Sequence, residues 1–119
     1  MDIKEEDFPL YQLLAKTQAD NSGVQRAIED FKKAQNGGDE EKYQFVHGIQ
    51  TVATFPAAAH FVPGMTTEIR DKTLRSCLAV FRDVASRGHV GAKMMVAYYE
   101  KNGIGCDRKA SASPKSPRP

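Results

Sequence analysis

The stretch TLRSCLAVFRDVASRGHVGAKMMVAYYEKNGIG, Thr73 to Gly105, decides the fold. In its first half Leu74, Cys77, Leu78, Phe81, Val84 and Ala85 recur at steps of three and four, while Arg75, Arg82, Asp83 and Arg87 fall on the opposite side. That spacing puts one apolar stripe and one wet face on a helix. Gly88 stands where a left-handed residue closes a helix, and a second apolar run, Ala92, Met95, Val96 and Tyr99, follows at once. A joint this short predicts an antiparallel pair, and Gly103 and Gly105 stop the second helix in the same way. Small residues at Cys77, Ala85, Ala92 and Ala97 are expected to let the axes approach, with Phe81 and Tyr99 filling the space between neighbouring pairs.

The same skeleton recurs fifty positions earlier. Val24 pairs with Leu74, Ala27 with Cys77, Ile28 with Leu78, Phe31 with Phe81, Ala34 with Val84, Gly38 with Gly88 and Val46 with Val96. Any two amphipathic helices share a stripe. The coincidence of aromatic, glycine and second-helix apolar residue in one register is what argues for two related hairpins separated by an insertion.

Phe81, Ala85, Gly88, His89, Ala92, Val96, Ala97, Asn102, Gly103 and Gly105 together resemble a Sel1-like repeat, a relative of the tetratricopeptide repeat, in degenerate or terminal form. Val96 and Ala97 replace that family's leucine-glycine pair, Glu100 stands where a tyrosine is usual, and the lead into a further repeat is cut short after Gly105. The resemblance implies a scaffold that binds peptides or other domains. It implies such work as assembling a complex, chaperoning a secreted partner or neutralising a toxin as an immunity protein.

Outward from this centre, 119 residues are enough for one modest core. The formal charge of +2 resides in the tail, where Arg108, Lys109, Lys115 and Arg118 face only Asp107, so the body is close to neutral. An acidic start without an apolar run predicts a chain kept in the cytoplasm, and Cys77 then reads as a small core residue and Cys106 as a thiol in an exposed turn. Residues 7–20 predict a covering helix with Asp7 as its cap, Pro9 in its first turn and a stripe of Leu10, Leu13, Leu14 and Thr17. Residues 22–54 predict the first helix pair: Ser22 caps a helix with Val24, Ala27, Ile28, Phe31 and Ala34 inward, Gly37 and Gly38 end it, and a third helix turns Tyr43, Val46, Ile49 and Ala53 inward.

From Tyr43 to Thr67 there is no Asp, Glu, Lys or Arg in a chain that is 27% charged. Pro56, Pro63, Gly48 and Gly64 exclude a spanning helix there. Residues 55–66 predict an irregular linker with a bend at Pro56 and a short helical turn, open to two readings. Either it packs beneath the second pair, residues 67–105, or Phe55, Phe61, Val62 and Met65 form an exposed apolar lip that meets a partner. Thr66 or Thr67 caps the helix that follows.

Beyond Gly105 the composition turns to Ser, Pro, Lys and Arg, and residues 106–119 predict a disordered basic tail. It holds a Pro-x-x-Pro spacing and two Ser-Pro pairs, patterns equally at home in a solvating tail.

Chemistry leaves little trace. His47, His60 and His89 are dispersed, without metal-ligand spacing, and the carboxylates lie on faces expected to be solvated. Gly103-Ile-Gly105 is not set between a strand and a helix as a phosphate loop requires. The expectation is an all-α, solenoid-like domain of about five helices with no catalytic residues, no metal and no cofactor. Phe31, Gly38, Phe81, Gly88, Ala92, Gly103 and Gly105 are its repeat skeleton, and Phe55, Phe61, Val62 and Met65 its candidate contacts. It binds a protein partner in a groove walled by the first helix of each pair; the alternative is a small nucleic-acid regulator anchored by its tail.

Overall fold

A computed structural model describes residues 2–55 and 57–106. The bend expected at Pro56 and the tail from Asp107 to Pro119 lie outside them. The described residues are all-helical. A 3-10 turn, Glu5–Asp7, leads into α1 (Pro9–Thr17), α2 (Ser22–Asn36), α3 (Asp39–Thr54), a single turn α4 (Ala58–Phe61), α5 (Thr67–Ser86) and α6 (Val90–Asn102).

The ends of these helices follow from local chemistry. Asn21, not Ser22, caps α2, its Oδ1 accepting from the N–H groups of Gly23 and Val24. Thr66 Oγ1 accepts from Ile69 at the start of α5, and His89 Nδ1 accepts from Ala92 at the start of α6. The start of α1 is satisfied from a distance: Asp7 makes no cap, and the Leu10 N–H donates instead to Thr73 Oγ1 on α5 at 3.1 Å. Gly88 and Gly103 adopt the left-handed conformation past the ends of α5 and α6, with φ of +98° and +68°.

Gly38 does not share that conformation. Its φ of −96° is open to any residue, so the match between Gly38 and Gly88 holds in sequence but not in backbone. The demanding position is Gly37, where a Cβ would lie 2.6 Å from both the Lys33 carbonyl oxygen and Glu41 Cγ. Gly37→Ala should cost about 1–3 kcal/mol through this overlap. Gly38→Ser, which adds a capping hydroxyl where glycine has none, should be neutral or stabilising by up to about 1 kcal/mol. Denaturation midpoints in the opposite order would place the constraint at the wrong glycine.

Packing is sequential: α2 lies on α3, α3 on α5 and α5 on α6, and α1 touches both α2 and α5. The turns of the two hairpins meet at one end. Arg87 beside Gly88 reaches Asp39 at 2.7 Å and Asp83 at 2.6 Å, and His89 Nε2 lies 2.7 Å from Glu40 Oε1. Because His89 Nδ1 accepts the Ala92 N–H, Nε2 carries the proton and donates it to Glu40. Hydrogen bonds from Arg87 hold Asp39 and Asp83 below the usual carboxylate range. The hairpins therefore run side by side in one sense, α3 parallel to α6.

With a neighbour on each side, α3 buries Phe45 and Gln50 as well as Val46, Ile49 and Ala53, while Tyr43 is half-buried. One cause of the missing charge after Tyr43 is this double burial. Phe45 joins Phe8, Tyr11 and Phe31 in an aromatic cluster with ring centroids 4.7 to 5.3 Å apart. Phe81 meets Tyr99 edge-on at 5.6 Å and Tyr43 at 5.7 Å. Ala97, expected at the joint of α5 and α6, faces outward. Cys77 is fully buried, and burial pushes its thiol well above the ordinary range. Cys106 belongs to the folded body rather than the tail: it is half-buried, its thiol directed at the Tyr99 carbonyl.

Candidate functional site

The groove expected between the first helices of the two pairs is already filled. α1 lies there, with Tyr11 stacked on Phe31 of α2 and the Leu10 backbone bound to Thr73 of α5, and Leu10, Tyr11 and Leu14 are all buried. The stripe read from sequence contained neither Tyr11 nor Phe8. Thr17 is exposed and bonds back to the Leu13 carbonyl.

An apolar groove of about 430 Å³ opens instead between α2 and α3, flanked by Leu14 and Gln18 at the end of α1. Val24 and Ala27 line it from α2 and Val52 from α3, the buried Phe45 and Ile49 form its floor, and Phe61 and Val62 close the end. Arg26 and Asp30 on α2 and Gln44 and His47 on α3 supply its polar groups. Gly48 also lines it, in the middle of α3, where a Cβ would meet nothing within 4 Å. A glycine inside a helix costs about 0.5–1 kcal/mol relative to alanine. Here its effect is to leave the groove wall open.

The linker divides the two readings the sequence left open. Val62 is buried at 4% exposure and anchors the segment, Met65 is half-buried, and Phe55 and Phe61 stand out at 52% and 64%. Their ring centroids are 6.0 Å apart, so they form one apolar projection. Val62 therefore leaves the proposed lip and ties the linker to the core. The linker rests on α1: Gln18 Nε2 donates to the Phe61 carbonyl at 3.0 Å, and Gly64, at a φ of +88°, sits where a Cβ would come within 3.3 Å of Leu13. The Gln18 bond fixes Phe61 at the mouth of the groove.

The basic side chains of α5 do not make a field of one sign. Arg82 is held by Glu100 at 2.8 Å and Arg87 by two aspartates, and a second hollow, of about 410 Å³, sets Asp2 and Asp7 against Lys72 and Arg75. Among the described residues no three His, Cys, Asp or Glu side chains gather to hold a metal ion, every buried side-chain nitrogen or oxygen has a hydrogen-bond partner, and no helix is long and apolar enough to cross a membrane.

A second exposed apolar face escaped the sequence reading altogether. Val90, Met94 and Tyr98 line the outside of α6, each more than half exposed. Their spacing of four was the available signal, but the inward residues of the same helix drew the assignment. No family model, curated protein or solved structure matches this chain.

Proposed function

We propose that this chain is a non-catalytic binding module that takes an apolar segment of another protein into the groove between α2 and α3. The observation that carries the reading is the exposed ring of Phe61, with Phe55 beside it, at the mouth of an apolar groove that the described residues leave open. A helix or extended peptide presenting two or three apolar side chains matches such a groove, with Arg26, Asp30 and His47 placed to orient it. The ion pairs of Arg82 on α5 and of Arg87 just past its end favour this reading over nucleic-acid binding. The likeness to Sel1-like and tetratricopeptide repeats belongs to the same proposal, supported by two hairpins running in one sense and weakened at Gly38.

Affinity purification from the native cell followed by mass spectrometry names the partner, and two substitutions then test the site. Phe61→Asp, at a residue already exposed, should weaken binding by about 30-fold or more, the size of an interface hot spot, while circular dichroism stays unchanged. Gly48→Leu should fill the groove and lower affinity while the helix becomes no less stable. A folded Phe61→Asp, Gly48→Leu protein that still binds its partner normally would remove the groove as the contact.

A further inference from the structure

We propose that the outward face of α6 is a self-association surface, on which a second copy of this chain lays its own α6 antiparallel. The proposal rests on observations separate from the groove. Val90, Met94, Ala97 and Lys101 are all exposed and follow one another at steps of four, three and four. That is the spacing of a coiled-coil seam. Val90 and Met94 are 69% and 68% exposed, unlike the buried Ala92 and Tyr99 behind them.

The seam is complementary to itself when reversed. Two antiparallel copies centred between Met94 and Ala97 set each Met94 against the other copy's Ala97, a large side chain against a small one. They also lay the aliphatic stem of each Lys101 along Val90. Tyr98, on the flank, then stands beside Met94 of the second copy, where a thioether and a ring attract. Charge agrees with this direction. Beside the N-terminal end of α6 lies Glu40 of α3, 57% exposed and bonded to His89. Antiparallel pairing brings Lys101 of one copy to that end of the other, twice by symmetry. Parallel pairing would set Lys101 against Lys101.

Four layers of side chains, two kinds each repeated by symmetry, make a contact smaller than the ~800 Å² per partner of a standard interface, so the dimer is weak and its association is sought at roughly 10–500 μM chain. Sedimentation equilibrium of the full chain over that range should show the average mass rising from one chain towards two. Met94→Glu should abolish the rise. Lys101→Glu, which sets like charges together, should weaken it at least threefold, and Phe61→Asp should leave it unchanged. Both α6 substitutions are at exposed positions, and two of them guard against one that fails to fold. A chain that stays single at the highest concentration overturns the proposal. So does a dimer that survives folded Met94→Glu and Lys101→Glu proteins, or one lost with Phe61→Asp, which would move self-association to the groove face.

Discussion

Phe45→Ala should lower folding stability by about 3–5 kcal/mol, a large share of the ~5–15 kcal/mol that holds a domain of this kind together. Phe45 is 1% exposed and is the ring that Phe8, Tyr11 and Phe31 all contact, edge-on or tilted. Truncation opens a cavity where the N-terminal segment, α1, α2 and α3 meet, and four separate elements would have to move to close it. Phe61→Ala removes a ring of the same size from the surface and should change stability by no more than about 0.5 kcal/mol. Urea denaturation followed by circular dichroism measures both. A Phe45→Ala loss below about 1 kcal/mol would show that the cluster does not join α1 to the first pair.

Phe45 also marks where reading the sequence stopped short. The stripe assigned to α3 followed Tyr43, Val46, Ile49 and Ala53, one face of an amphipathic helix. A helix packed on two sides has two inner faces, and only tertiary context says which residues on the second are buried. The same cause hid Tyr11, which looks outward from α1 until α2 is placed beside it. The all-helical class, the two hairpins and the αL glycines Gly88 and Gly103 were legible because each rests on local rules of period, capping and backbone freedom. Gly37 and Gly38 were not separable, since adjacent glycines read alike and only the distance to the Lys33 carbonyl tells them apart.

The candidate site was legible in part. The lack of charge between Tyr43 and Thr67 signalled something real, but it merged two causes: burial of α3 between neighbours and exposure of apolar rings at the linker. Composition cannot separate these, because both select against charge. The location of the groove followed from α1, whose apolar side chains gave no sign that they would occupy the space between α2 and α5. Once that space is filled, the open apolar surface is displaced to the cleft between α2 and α3.

Tyr99→Ala should match Phe45→Ala in cost, about 3–5 kcal/mol, because Tyr99 is fully buried between α5 and α3 and packs edge-on against Phe81. The more informative change is Tyr99→Phe. The Tyr99 hydroxyl donates to Gln50 Oε1 at 3.0 Å, and Gln50 is itself buried. Burial pushes the Tyr99 hydroxyl well above its ordinary range, so the proton stays on through alkaline pH and the bond keeps one direction. Removing the hydroxyl leaves the Gln50 oxygen buried without a donor, which should cost about 1–3 kcal/mol. Gln50→Leu alone strands the hydroxyl and should cost a similar amount. The double substitution removes both polar partners and should be more stable than either single one, since an apolar pair needs no hydrogen bond. A double mutant whose loss equals the sum of the two singles would mean that the residues act independently. The bond would then not be what joins the far ends of α3 and α6, opposite the Arg87 and His89 contacts at the turns.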